Sequence, residues 1–398
     1  MFQQLISHND DIRQLVERGY AVALDGNHYL VVRDIPYLDN TLKLNTGAIV
    51  MKFVDVGQGR IKQDDHQIFF AGSIPHSLDG KPIPNLGGGA TTFALSEASK
   101  DVIIQRSFSN KPKTTGKFKD FFEKLESYVS IISGPAMERY EVNPFTFRAV
   151  LDSKTSTPFK FRDTLTSRAE IGDLASKFKD DVIAVIGVGG TGSYVLDFLV
   201  KTPVREIRAF DLDQFFIHNT FRAPGKLDEA ELGKSKAEVF QTRYENFRYG
   251  LTVTKKFIDS TCSEDLKGVT FAFVCVDKGA SRSKIFDLLI SLAIPFIDVG
   301  MGLDRKSGQL NGMLRATYYS AQDAQEMRAK SLAPLVDDAA DLYRTNIQIG
   351  ELNALNACLA VIKFKQLRGF YFEEQSYYHL IFGLGDLKIY NESKNSED

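Results

Sequence analysis

Tryptophan is absent from the 398 residues, and cysteine is nearly so. Cys262, Cys275 and Cys358 are too few for a disulfide framework, and none stands in a CxxC pair. A four-cysteine zinc site cannot be built from three thiols, so no structural zinc is expected. Such sparing use of cysteine predicts a reducing, cytoplasmic setting. No apolar run approaches the ~18 residues of a membrane-crossing helix, so no membrane partner is expected. The opening Met1-Phe2-Gln3-Gln4-Leu5-Ile6 reaches Asp10 and Asp11 without the basic head and apolar stretch of a secretory signal. A formal net charge of -2 leaves no global bias toward nucleic acid.

What is present is a core-forming composition: 43% hydrophobic residues, with 30 phenylalanines and 15 tyrosines. The length exceeds one ordinary core and predicts two domains, 1–155 and 156–398. The first reads as a small α+β accessory domain. Ala21-Val22-Ala23-Leu24 and Tyr29-Leu30-Val31-Val32 flank a turn and predict a hairpin. Residues 54–59 are turn-rich, and 66–70 read as a strand. Residues 85–90 are glycine-dense but lack a preceding apolar strand, so a flexible loop is predicted. Residues 118–132 carry helical spacing. His66 and His76 have no neighbouring ligand pattern and read as structural or surface residues. This half offers no chemistry of its own.

The second half alternates strands and helices. A helix over 167–178 leads into Val182-Ile183-Ala184-Val185-Ile186, continuously apolar as a buried parallel strand must be. Gly187-Val188-Gly189-Gly190-Thr191-Gly192 follows, a tight turn that lets backbone approach a phosphate at a helix N-terminus. Further strands are predicted at 206–210, 251–257, 269–276 and 295–300, with helices over 193–200 and 234–247. That alternation predicts a Rossmann-like, mostly parallel doubly wound sheet. Residues 347–367 read as a helix, 370–372 and 377–382 as terminal strands, and 391–398 as a fraying polar tail.

Asp211 stands at the end of the second strand, where an acid accepts hydrogen bonds from a ribose. An NAD-dependent oxidoreductase would present the same pair of features. Asn219, Arg222 and Lys236 beyond it favour triphosphate handling, since cations stabilise charge on phosphoryl oxygens. Asp277 closes the strand over 269–276 at the carboxyl edge of the sheet, where a carboxylate can hold magnesium. Singly, Asp213 and Lys234 read as strand-end or solvated charges.

Residues 161–365 resemble the ThiF/MoeB/ubiquitin-activating E1-like superfamily. The resemblance rests on the turn 187–193, Asp211-Leu212-Asp213, Asn219 through Arg222, 233–236 and Asp277. It implies ATP-dependent adenylation of the C-terminal carboxylate of a ubiquitin-like or sulfur-carrier protein ending in glycine. In cofactor terms it implies ATP and magnesium, held by Gly187, Gly189, Gly190, Gly192, Asp211, Asp213, Asn219, Arg222 and Lys236, with Asp277 on the metal. It further implies a homodimer in which an arginine, Arg168 first and Arg162 second, reaches the neighbouring subunit's ATP. A separate conjugating enzyme is an implied partner, and the first domain could recognise either protein.

Two departures bear on the chemistry. Lys278 follows Asp277 where the superfamily commonly has asparagine. No cysteine lies in the candidate crossover 302–335, and of the three thiols only Cys262 has a loop-like sequence setting. Either the reaction stops at the adenylate, or Cys262 or a hydroxyl carries the acyl group. A transfer-RNA-modifying relative and a noncatalytic scaffold are the competing functions; the former predicts a basic face that this sequence lacks.

Overall fold

The computed structural model describes residues 5–393 except 7, 27, 149–156, 162, 170 and 338–346. The chain divides into two compact units, Met1–Gly172 and Asp173–Asp398. The predicted boundary at 155/156 falls outside the described residues, as does Arg162.

In the first unit, strands β1 (Ala21–Asp25), β2 (Tyr29–Leu38), β3 (Leu44–Gly57), β4 (Arg60–Gln63), β5 (Ile68–Ala71), β6 (Gly89–Ala90) and β7 (Arg106–Phe108) form one antiparallel sheet. The order is β1-β2-β3-β5-β7-β6, with β4 paired to β3. The predicted hairpin is β1–β2, in register Ala21 opposite Arg33. Residues predicted as turn-rich instead continue β3 through Gly57, because β4 supplies a partner for their backbone. The glycine-dense loop ends in a strand, since Gly89 and Ala90 pair with Ser107 and Arg106. Two helices, Asp10–Arg18 and Phe121–Tyr140, contribute Leu15, Val16, Leu125, Tyr128 and Ile132 to a core with Leu30, Ile49 and Phe70 of the sheet. Asp120 caps the longer helix by accepting from Glu123 N–H. Lys124 of the longer helix is also buried, and its ammonium donates to the Asp65 carbonyl at 2.8 Å.

The second unit holds β8 (Val182–Ile186), β9 (Glu206–Phe210), β10 (Leu251–Thr254), β11 (Phe271–Val274), β12 (Phe296–Lys306), β13 (Gln309–Tyr319), β14 (Tyr377–Gly383) and β15 (Lys388–Ser393). Its sheet runs β10-β9-β8-β11-β12-β13-β14-β15. The strands from β10 to β12 are parallel, and the rest extend the sheet as an antiparallel meander. Chain order reverses between β8 and β11, creating the switch point at whose carboxyl edge ligands collect in such sheets.

The meander changes several sequence expectations. Residues 302–319, expected as part of a crossover, form the β12–β13 hairpin. Phe370 to Phe372 form no strand, whereas Asn391 to Ser393 belong to β15. The helix expected over 167–178 is broken into Thr164–Arg168, Gly172–Ala175 and a 3-10 turn at Ser176–Phe178.

Helices Gly190–Val200 and Gly350–Leu367 bury Val195, Leu196, Leu199, Ala357, Ala360 and Phe364 on one face of the sheet. Gly279–Ser291 packs Ile285, Phe286 and Leu289 on the other. Arg248 closes the end of the first of these helices. Its buried guanidinium donates to the carbonyls of Leu199, Thr202 and Val204.

Candidate functional site

The turn after β8 is built from sterics. Gly187 has φ +90, and a Cβ there would approach the Cys275 carbonyl oxygen to 2.8 Å. A Cβ on Gly192 would lie 1.9 Å from the Gly187 carbonyl oxygen. On Gly190 it would meet the amide nitrogen of Asn353 at 2.4 Å. Gly189 differs, since a Cβ there meets nothing within 4 Å. Three of the four glycines are therefore required by the protein's own packing, and only Gly189 leaves open space.

Asp211, at the carboxyl end of β9, is 8% exposed. Its Oδ2 accepts from Val188 N–H at 2.8 Å and its Oδ1 from Asp213 N–H at 2.9 Å. The carboxylate thus ties β9 to the glycine turn. Burial pushes its pKa above the ordinary carboxylate value, while Lys236 and the two backbone donors pull it down. Lys236, at the start of helix Lys236–Tyr244, is 6% exposed and lies 3.6 Å from Asp211 and 2.8 Å from Asp213. The helix start is fixed by Ser235 and Glu238, which accept reciprocally from each other's backbone N–H.

Asn219, in the short helix Ile217–Thr220, is buried, and its Oδ1 accepts from Phe216 N–H at 2.8 Å. That bond orients the loop carrying Arg222. Burial pushes the Arg222 guanidinium below its ordinary value, and the carboxylates of Asp277 and Asp213 push it back up. Arg222 Nε is buried without a hydrogen-bond partner. Val188, Gly189, Gly190, Asn219, Arg222 and Lys236 line one small, tight depression, with Phe215, Ala223 and Phe240 at its apolar side.

Asp277 lies exposed beyond β11, just past the switch point. A magnesium ion is commonly held by one or two carboxylates while substrate phosphates and water complete its shell. Asp277 at the sheet edge, with Asp213 acting on the same guanidinium, fits that requirement. Among the described residues no group of three or more His, Cys, Asp or Glu could form an all-protein metal cage.

Arg168 lies in the first unit, mostly exposed, with its Nε 3.5 Å from Glu17. The structure therefore brings together Gly187, Gly189, Gly190, Gly192, Asp211, Asp213, Asn219, Arg222 and Lys236, with Asp277 acting electrostatically on Arg222. Arg168 takes part in none of these contacts.

The thiols correct one expectation. Cys262 is not in an open loop: it is 3% exposed, packed with Ile258 and Leu266, and its Sγ donates to the Phe257 carbonyl at 3.5 Å. The Cys275 thiol is buried beside Asp298, and both raise its pKa; burial likewise raises that of Cys358. No described thiol has the electropositive, accessible setting that makes a thiolate.

Two groups went unread in the sequence. Asp298, fully buried in β12, is gripped by Arg282, whose Nε lies 3.0 Å away, and by Arg315. Arg282 also donates to the carbonyls of Val276 and Pro334, fixing the backbone beside Asp277. Asn353 and Asn356 are buried on helix Gly350–Leu367. Their signal was available: two asparagines three apart interrupt the apolar stripe of a helix that is otherwise core.

With the site described, comparison with known proteins is informative. The ThiF family model matches residues 166–378, and a domain of unknown function, DUF6791, matches 10–164. Ubiquitin-like modifier-activating enzyme 5 of Branchiostoma floridae is 26% identical over 156 residues, 36% of this chain and 38% of that protein. The tRNA threonylcarbamoyladenosine dehydratase of Escherichia coli (strain K12) is 27% identical over 127 residues, 31% of this chain and 47% of that protein. The chain thus spans less than half the length of either relative. Among solved structures, E. coli MccB with AMPCPP and MccA aligns with TM-score 0.45 at 16% identity, covering 57% of this chain and 70% of that one. PaaA aligns with TM-score 0.43 at 16% identity, covering 68% and 92%.

Proposed function

The chain belongs to the ThiF family, and from that premise we propose that it uses ATP to adenylate the C-terminal carboxylate of a ubiquitin-like or sulfur-carrier protein. One observation carries the reading: at the switch point, the glycine turn, Arg222 and Lys236 line one depression, and Asp277 acts on Arg222 from the sheet edge. A hydride-transfer site has no use for so many cations. The activities for which the relatives are named, modifier activation and threonylcarbamoyladenosine dehydration, differ in substrate. The net charge of -2 favours a protein substrate over transfer RNA.

In this reading Asp211 holds the ribose, and the free N–H groups at the start of helix Gly190–Val200 receive phosphate. Asp277 would hold magnesium, which when bound neutralises phosphate charge. The attacking carboxylate is already ionised at neutral pH, so no histidine base is needed. Arg222 and Lys236 stabilise charge on the phosphoryl oxygens as the carboxylate displaces pyrophosphate at the α-phosphorus. Lys236 must exchange its partners Asp211 and Asp213 for phosphate, or act on it from that position. Arg168 would act in a second copy's site.

The test is ATP–pyrophosphate exchange across a panel of small proteins ending in glycine, run with wild type and Asp277→Ala. Exchange should require one of these proteins and fall by at least about a hundredfold in the variant. Undiminished exchange in the variant removes Asp277 from the chemistry. A nucleotide-binding protein without exchange for any acyl substrate would instead be a noncatalytic scaffold.

A further inference from the structure

Four buried side-chain polar atoms of the second unit lack a hydrogen-bond partner among the described residues: Arg222 Nε, Gln348 Oε1, Asn353 Nδ2 and Asn356 Oδ1. Unmet polar atoms in a packed interior are uncommon and call for a reason. Three of them cluster at the glycine turn. Arg222 lines the depression at Gly189 and Gly190. The amide heads of Gln348 and Asn353 press against Gly190, where a Cβ would approach them to 2.5 and 2.4 Å.

Asn353 is the most constrained of these. It is 1% exposed, in the first turn of helix Gly350–Leu367. Thr191 Oγ1 donates to its Oδ1 at 3.0 Å. The amide nitrogen is thereby turned onto Gly190, the first residue of helix Gly190–Val200. One turn on, Asn356 Nδ2 donates to the Gly300 carbonyl at 3.0 Å and fastens the same helix to β12. Asn353 is therefore held by Thr191 and by the anchoring of its helix, with its amide nitrogen beside the start of helix Gly190–Val200.

Such a terminus presents free backbone N–H groups and the positive end of the helix dipole. Besides the Gln348 amide oxygen, itself unpaired beside Gly190, a side-chain donor added there suits an anionic oxygen. We propose that Asn353 is a phosphate-binding residue of the nucleotide site, its amide nitrogen donating to a phosphate oxygen of ATP held at the glycine turn. The proposal rests on the ATP reading above. It accounts for glycine at position 190, since any side chain there displaces the amide, and for the hydroxyl at Thr191, which orients it.

Equilibrium binding of ATP and of adenosine to the full chain tests this in wild type, Asn353→Asp and Asn353→Ser. The first variant is isosteric but replaces the donor with an acceptor that repels phosphate; the second removes the donor without adding charge. ATP affinity should fall at least about tenfold in both, more in the aspartate variant, with adenosine affinity within about twofold of wild type. Parallel losses for ATP and adenosine would mean that Asn353 only supports the fold, and unchanged ATP affinity would remove it from the site. Wild type that binds adenosine but not ATP would overturn both this assignment and the adenylation reading. Wild type that binds ATP, with variants unaffected, overturns this assignment alone.

Discussion

Asp211 and Lys124 show how differently burial acts on single charged groups in this chain. Asp211 keeps a cation and two backbone donors within reach, which partly offset the desolvation that raises its pKa. Lys124 has one carbonyl partner, and burial pushes its ammonium from 10.5 to about 8. Between those values the unfolded chain holds the proton and the folded chain has released it. Stability contributed by this residue therefore rises with pH through that window and is lost as pH falls toward 8. Urea denaturation of wild type and Lys124→Met at pH 8 and pH 10 should show wild type gaining on the variant at the higher pH, by no more than a few kcal/mol. An identical pH dependence in both proteins would mean that Lys124 stays charged in the fold. Lys124 was invisible to pattern reading because it occupies a core position of a helix whose aromatic neighbours gave the expected stripe.

The glycine turn and its flanking elements are the scale at which sequence reading was strongest and also incomplete. The strand-turn-helix unit, the following acid and the helix expected over 234–247 were all legible, because local sterics and periodicity determine them. What each glycine does was not legible. Gly192 is fixed by the Gly187 carbonyl and Gly190 by Asn353, while Gly189 faces open space. Gly192→Ala should therefore unfold or grossly destabilise the second unit, seen as a lost or lowered thermal transition. Gly189→Ala should melt within a few degrees of wild type yet weaken ATP binding about tenfold or more, since only a ligand needs that space. Unaltered ATP affinity in Gly189→Ala would place the phosphates elsewhere. The crossover was misread for a related reason. Residues 302–312 carry little apolar signal at the exposed end of a hairpin, and their pairing partner is visible only in the folded sheet.

At the scale of the molecule, each unit has its own core and the three thiols all contribute to the packed interior or its margin. None is set up as an acyl carrier, so under the proposed adenylation reading the activated acyl group would pass to a nucleophile brought by another molecule. The variant with Cys262, Cys275 and Cys358 all changed to Ala should retain ATP–pyrophosphate exchange within about threefold, provided its core survives the loss of three small side chains. A thiol-sensitive covalent adduct between wild type and the acyl protein, absent in that variant, would overturn this. By itself the sequence determined the doubly wound sheet, the nucleotide turn and the family, because buried parallel strands and tight glycine turns are written in short contiguous segments. Only the tertiary structure decided that Cys262 is core, that Arg282 and Arg315 share Asp298, and that Asn353 faces Gly190 across 162 residues of sequence from its partner Thr191. Those relations depend on which surfaces meet when the helices close over the sheet, and no local pattern records such a meeting.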